Sequence, residues 1–232
     1  MTNPVFYFLF FITFACFTSN ANEIEKNSYT RFYFGGSQLS FDEPYNHAET
    51  LYGKKFGKLS LSYDYLRYTS QSLSIGGGLQ LGFVRKRGKA AILPTDEVIP
   101  LKRDLNASEV DPQSSVLFSM NTLDLNFLFD WEIWAPLHFS VKVGAQMTHY
   151  NEKRLSGGSY VNSGIEKGLN FWIAFPIEIH QFDKKSVKSL EILDIRSVFL
   201  TPFLENVSSV GGNGVLSPYQ SIGLSFGFGS EI

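Results

Sequence analysis

Apolar and polar residues alternate along much of this chain with a period of two, and this alternation constrains the fold more than any other feature. In residues 72–84 the odd positions carry Leu, Ile or Phe, apart from Gly77, and the even positions as far as 82 carry Ser, Gly or Gln. In residues 137–148 the odd positions are all apolar, and the even positions are His, Ser, Lys, Gly, Gln and Thr. Successive side chains of a β-strand point to opposite faces. Both segments are therefore predicted to be strands with one apolar face and one polar face.

Eight segments of this kind can be recognised, and the spacers between them alternate in length, four long to three short. An even-stranded barrel with both termini on one side has long loops at the far end and short turns at the near end. The order therefore predicts an all-β, eight-stranded antiparallel up-and-down β-barrel. The predicted strands are residues 30–41, 58–66, 72–84, 122–131, 137–148, 167–180, 191–203 and 221–228. The long spacers are residues 42–55, 85–113, 151–166 and 205–217, and the short ones are 69–71, 132–136 and 181–189.

The residues on the polar face indicate which solvent each face meets. A soluble eight-stranded barrel, such as a lipocalin, would fill its interior with the apolar face and put charges outside. Here the polar face holds mostly Gly, Ser, Thr, Gln and Asn, which suits a narrow interior, and the apolar face suits a lipid-facing band. We therefore predict a transmembrane barrel, and a soluble periplasmic ligand-binding barrel is the competing interpretation. The interior charges, expected to form a salt-bridged plug, are Asp64, Asp124, Lys142, Glu178, Asp194 and Arg196.

One residue conflicts with an uninterrupted sixth strand. Pro176 lies within residues 167–180 on the interior parity. Proline has no N–H to donate to the ladder, and a closed barrel has no edge strand on which that loss would be tolerated. The sequence therefore predicts a bulge or an early strand end near Pro176.

The first residues predict export from the cytoplasm. Residues 4–17 form one apolar block, which is too short to span a bilayer as a helix, and small or polar residues follow it. We interpret residues 1–21 as a secretory signal peptide that is removed before Asn22, although no Lys or Arg precedes the block. Residues 22–29 would form a short N-terminal lead. Cys16 is the only cysteine, and lipidation at Cys16 would be the alternative, but it lacks the Leu usual three residues before an acylated cysteine.

The last strand carries a pattern with a specific meaning. Ser221, Gly223, Phe226 and Phe228 fit the C-terminal signal by which outer-membrane barrels are recognised for assembly. Together with the strand count, this pattern resembles the small eight-stranded outer-membrane proteins, among them the OmpA transmembrane domain and OmpX. The resemblance implies a barrel over residues 30–228 in the bacterial outer membrane, a monomer in contact with lipid, lipopolysaccharide and the barrel-assembly machinery. Residues 229–232 would be a short tail beyond the aromatic residue at which those proteins commonly end.

Net charge and motif content limit the function. A formal net charge of -2 argues against a nucleic-acid partner, which requires a basic surface. No metal-ligand spacing, nucleophile elbow or phosphate-binding loop is recognisable, so we expect no metal, no cofactor and no catalytic residue. The chain is therefore expected to be an integral outer-membrane barrel with a structural, surface-interaction or minor pore role.

One short match suggests an enzyme instead. His138, Ser140 and Glu152 resemble the His-x-Ser and Glu of the outer-membrane lipid A 3-O-deacylases, in which Ser attacks an ester, His acts as base and Glu orients it. The residues that accompany the family's His-x-Ser are absent, and His138 is predicted at the periplasmic end, away from lipid A. A lipid A-modifying hydrolase is therefore the alternative function, and two polar lining residues are the simpler explanation.

A basic cluster follows the third strand. Arg85, Lys86, Arg87 and Lys89 are predicted to lie in a long extracellular loop, at the level of the lipopolysaccharide phosphates. Guanidinium groups make strong bidentate contacts with phosphate. The cluster is therefore predicted either to bind lipopolysaccharide or to be a solvated loop.

Overall fold

A computed structural model describes residues 28–42, 47–70, 72–91, 108, 110–155, 160–179, 195–212 and 218–231 of the chain. The predicted signal peptide lies outside the described residues. Within them are nine strands and one short helix. Among these residues no helix has the length and hydropathy needed to cross a bilayer. The strands are β1 Ser28–Phe41, β2 Phe56–Tyr68, β3 Leu73–Ala91, β4 Val110–Trp134, β5 Leu137–Arg154, β6 Tyr160–Ala174, β7 Ile177–Glu178, β8 Ser197–Gly212 and β9 Tyr219–Glu231, and the helix is α1 His47–Tyr52.

The strands form one closed antiparallel sheet, because β1 pairs with β9 as well as with β2. A path that starts at Tyr29 and goes from each residue to its partner on the next strand leads once around the barrel. It returns to β1 at Leu39, ten residues further on. In an eight-stranded barrel this stagger tilts the strands by roughly 40° to the axis. The predicted eight-stranded up-and-down barrel is therefore confirmed.

The two ends of the barrel differ, and we name them by what they carry. The terminal end holds Ser28 and Glu231, together with the β2–β3 and β4–β5 turns, the short strand β7 and the start of β8. The loop end holds the strand ends that the β1–β2, β3–β4, β5–β6 and β8–β9 connections join, and α1 lies in the first of these connections.

The sixth predicted strand is interrupted at Pro176. β6 ends at Ala174, and the two-residue strand β7 continues in its place between β5 and β8. The carbonyl oxygen of Pro176 accepts a hydrogen bond of 2.9 Å from the N–H of His138, and the N–H of Phe175 donates to the carbonyl oxygen of Pro202. The backbone around the proline is thus bonded without the N–H that proline lacks. The predicted extent 167–180 is wrong, and an early strand end is what occurs.

At the loop end, the strands are longer than the apolar pattern predicts. β3 continues to Ala91, β4 begins at Val110 and β8 continues to Gly212, so much of the predicted loops 85–113, 151–166 and 205–217 is strand. The pattern fails there because the outward positions turn polar where a strand leaves the lipid, not where it ends. β8 also begins at Ser197 rather than at 191.

Candidate functional site

The outer surface of the barrel carries a continuous apolar belt. Leu125 is 60% exposed, Phe34 55% and Leu59 56%, although the barrel is a closed unit with its own interior. On β5 the apolar outward run from Leu137 to Met147 covers ten residue steps. At about 3.3 Å per step and a tilt of about 40°, it rises about 25 Å, the height of a lipid-facing band. The apolar residues of β3 and β5 thus point away from the axis, and the outward belt excludes the soluble barrel with an apolar interior.

Three ion pairs with both partners buried stack along the axis within the described part of the barrel. Arg31 on β1 bonds both carboxylate oxygens of Asp130 on β4, each at 2.7 Å. Lys142 on β5 lies 2.8 Å from Asp64 on β2 and 4.6 Å from the ring centroid of Trp172. Each pair joins strands that are not neighbours in the sheet, so the interior is crossed by side chains at several levels.

The third pair, Lys58 with Glu205, organises the middle of the interior. The Lys58 ammonium lies 2.7 Å and 2.9 Å from the two carboxylate oxygens of Glu205. Ser221 donates to the same carboxylate at 2.7 Å. Tyr219 donates to Gln146 at 2.9 Å, and Gln146 in turn donates to Asp124. Polar groups removed from water need such partners, and this network supplies them across five strands.

At the loop end, the interior is closed by apolar side chains. The buried cluster includes Phe56, Phe118, Met120 and Tyr150, and Leu51 and Tyr52 of α1 pack onto it. The hydroxyl of Tyr52 donates to Glu152 on β5. Burial and the neighbouring Glu152 carboxylate raise the pKa of Tyr52. α1 therefore acts as a plug whose lower face is apolar and whose tyrosine is anchored to the barrel wall.

The predicted interior charges have different positions. Asp64, Asp124 and Lys142 lie inside the barrel, and Glu178 is half-buried on β7 at the terminal end. Arg196 is exposed, and its placement inside the barrel is wrong because it precedes the first residue of β8. Asp194 lies outside the described residues.

Six buried charged residues of the described interior are missing from that prediction, namely Arg31, Lys58, Asp130, Glu152, Glu166 and Glu205. Arg31 lies in a segment whose parity is ambiguous in the sequence, and Glu205 falls in a predicted loop. Lys58 and Asp130 do lie on the polar parity of their predicted strands. Parity alone therefore could have identified Lys58 and Asp130, whereas Glu205 required the true end of β8.

The structure contradicts the deacylase-like arrangement. Glu152 and His138 lie fourteen residues apart on β5, which separates them by about 46 Å, at opposite ends of the barrel. Ser140 donates its hydroxyl hydrogen to Asp130, and His138 Nδ1 lies 3.0 Å from the same carboxylate. In the triad the histidine accepts the proton of the serine hydroxyl, and here that hydroxyl donates to the Asp130 carboxylate instead of to His138. His138, Ser140 and Glu152 therefore form no triad.

The predicted basic loop is part of a strand. Arg85, Arg87 and Lys89 lie on β3 with exposed side chains on the same parity as the apolar outward residue Phe83. We call these three residues the basic strip. Lys86 has the opposite parity and donates to the carbonyl oxygen of Lys55 at 3.0 Å. The four residues therefore do not act as one cluster.

The residues of the predicted assembly signal occupy both faces of β9. Ser221 and Gly223 face the interior, and Phe226 and Phe228 face outward with 40% and 36% exposure. A side chain at Gly223 would lie 2.5 Å from the carbonyl oxygen of Gly36, so this position has room for glycine alone. Residues 229–231 continue β9 and pair with β1, which corrects their assignment to a tail.

Comparisons with known proteins give structural similarity alone. No family model matches the chain, and no curated protein matches it. Three solved structures are similar to it. Ail, the attachment invasion locus protein of Yersinia pestis, is 10% identical over 89% of this chain and 99% of that chain, with a TM-score of 0.48. Neisserial surface protein A (NspA) is 11% identical over 88% of this chain and 97% of that chain, with a TM-score of 0.46. The outer membrane protein OprG from Pseudomonas aeruginosa is 9% identical over 88% of this chain and 97% of that chain, with a TM-score of 0.49.

Proposed function

We propose that this chain is a bacterial outer-membrane β-barrel protein without catalytic activity, which holds lipopolysaccharide phosphates on its outer wall at the loop end. The observation that carries the proposal is the abrupt change on the outward face of β3, from Phe83 to Arg85. Phe83 is 45% exposed within the apolar belt, and the next three outward positions are basic.

The position of the basic strip supports an anionic partner. Arg85, Arg87 and Lys89 pair in the sheet with Ser119, Leu117 and Ser115 of β4, none of which carries a charge. A strand position directly above an apolar belt lies at the headgroup level of a bilayer. The long connections and α1 at the loop end support an extracellular orientation of that end, where the lipid phosphates belong to lipopolysaccharide. Arginine recognises such groups through paired N–H donors.

Direct measurement of lipid binding tests this proposal. The triple variant Arg85→Gln/Arg87→Gln/Lys89→Gln is compared with a charge-matched control, Lys184→Gln/Lys185→Gln/Lys188→Gln, in the connection between β7 and β8. We expect the first variant to bind lipopolysaccharide at least tenfold more weakly and the control to bind like the parent chain. Dephosphorylated lipid A should bind all three proteins alike. An equal loss in both variants, or a loss that persists on dephosphorylated lipid A, would contradict the proposal.

The closed interior supports a role that does not depend on conduction. Three ion pairs and the apolar cluster under α1 cross the lumen, and eight strands leave an interior just wide enough for side chains. In planar lipid bilayers we therefore expect no stepwise conductance from the purified protein. Reproducible single-channel steps would favour the minor pore role.

The absence of catalysis has its own test. Purified protein and the Ser140→Ala variant are incubated with lipid A, and the products are analysed by mass spectrometry. We expect unmodified lipid A in both cases, because the Ser140 hydroxyl is directed at the Asp130 carboxylate. Loss of an acyl chain in the parent sample alone would restore the hydrolase alternative.

A further inference from the structure

A cavity of about 190 Å³ opens at the terminal end of the barrel, opposite the basic strip. Its walls come from β1, β2, β5, β7, β8 and β9, and Phe199 forms part of its lining. This volume is well above the ~30 Å³ that one water molecule takes up in the liquid. The cavity can therefore hold a group of several heavy atoms.

Basic side chains outnumber acidic ones around this cavity. Arg31, His138 and Arg196 line it, and Glu178 is the one acidic lining residue among those described. Two carboxylates at this end of the barrel face cations of the lining. Asp130, behind the wall, is held by both terminal nitrogens of Arg31, and Glu178 lies 3.3 Å from His138 Nε2.

One of the basic lining residues has a buried donor without a partner. Arg31 is 2% exposed, and its Nε–H has no hydrogen-bond partner although both terminal nitrogens bind Asp130. Buried donors of native proteins nearly always have a hydrogen-bond partner. The hydrogen bond of a guanidinium N–H is strongest when the acceptor is an anionic oxygen. An oxyanion would satisfy this donor.

We propose that the cavity at the terminal end is a binding site for a phosphate group. The group would accept from Arg31 Nε and from the Arg196 guanidinium at the rim, and the Ser197 hydroxyl is a third donor in the lining. If the terminal end faces the periplasm, the phosphate comes either from solution or from the headgroup of an inner-leaflet lipid. Both sources present the same tetrahedral oxyanion to the site.

The test uses the full barrel in a phosphate-free detergent, with inorganic phosphate as the probe. Backbone amide shifts of Ser197, Gly229 and Ser230 are followed by NMR during the titration. The variant Arg196→Gln is compared with Arg67→Gln, because Arg67 is an exposed arginine at the same end, on the outer face of β2. Arg31 is left intact, since its loss would unpair the buried Asp130.

We expect saturable shifts in the parent chain, an apparent Kd at least tenfold higher for Arg196→Gln, and no change for Arg67→Gln. Shifts that rise linearly without saturation, or an equal weakening in both variants, would overturn the proposal. Saturable binding unaffected by Arg196→Gln would overturn it as well. Short-chain phosphatidylglycerol then identifies the source: competition at the same amides assigns the site to a lipid headgroup, and binding of inorganic phosphate without such competition assigns it to the free ion.

Discussion

The ammonium of Lys58 on β2 lies 2.7 Å from the Glu205 carboxylate on β8, and the two side chains are 1% and 0% exposed. Two strands, β1 and β9, separate β2 from β8 in the sheet, so the pair spans the lumen rather than a strand interface. It closes the barrel at mid-height and links residues 147 positions apart.

Removal of the cation should be strongly destabilising. Lys58→Met leaves the Glu205 carboxylate buried without its charge partner, which costs about 3–5 kcal/mol of unfolding free energy. The double variant Lys58→Met/Glu205→Leu should recover most of this loss, because no unpaired charge remains. Urea unfolding in lipid vesicles measures both values, and Lys54→Met, at a side chain that is 74% exposed, is the control. A double variant as unstable as the single one would show that the charge pairing is not what stabilises this level.

The lipid-facing belt can be tested by placing a charge at two heights on one strand. Leu125→Arg puts a guanidinium within the belt of β4, and we expect a loss of about 2–4 kcal/mol in bilayers. Asn121→Arg lies on the same outward face at the loop-side edge of the belt, between Phe83 and His149 in the sheet, and its cost should be about 0–1 kcal/mol. Equal effects at Leu125 and Asn121 would mean that the apolar surface does not meet hydrocarbon.

The plug helix depends on a glycine in β3. A side chain at Gly88 would overlap the ring of Tyr52 and the carbonyl oxygen of Leu51, so Gly88→Val should displace α1 from the loop end. Met120, fully buried below α1, is replaced by cysteine in a Cys16→Ser background, and its reaction with a water-soluble thiol reagent is timed. We expect labelling to be at least tenfold faster with Gly88→Val.

A matched glycine substitution serves as the control for that experiment. Gly36 lies on β1, and a side chain there would meet nothing within 4 Å. Gly36→Val should therefore leave labelling at position 120 unchanged. If both valine variants accelerate labelling alike, the effect comes from general loosening of the barrel and not from the plug.

Alkaline pH should weaken the plug through Tyr52. Burial and Glu152 raise the pKa of Tyr52 in the folded state, so the protonated hydroxyl is favoured there. The stability that this residue contributes is fully present below the ordinary tyrosine value of about 10 and decreases by about 1.4 kcal/mol for each pH unit above it. Comparison of unfolding free energies at two pH values above 10 should show a shallower decline for Tyr52→Phe. Identical slopes in the two proteins would contradict this assignment.

The exposed and buried faces were predictable from sequence wherever the outward residues were apolar. On β3 and β5 the period-two alternation identified both faces correctly, because the alternation is a local property of an extended backbone. The same argument misplaced the ends of β3, β4 and β8, since an outward polar residue marks the edge of the lipid as well as the end of a strand.

The alternation alone therefore determined that this chain forms strands with one apolar face, and the number of strands indicated a barrel. The tertiary structure decided which interior groups meet. Arg31 and Asp130 lie 99 residues apart, and nothing local relates them. Their contact follows from the ten-residue stagger with which the sheet closes, a quantity that depends on the register of all strands together. The same closure brings Arg31, His138 and Glu178 together at the terminal end, where they line the cavity proposed to bind phosphate.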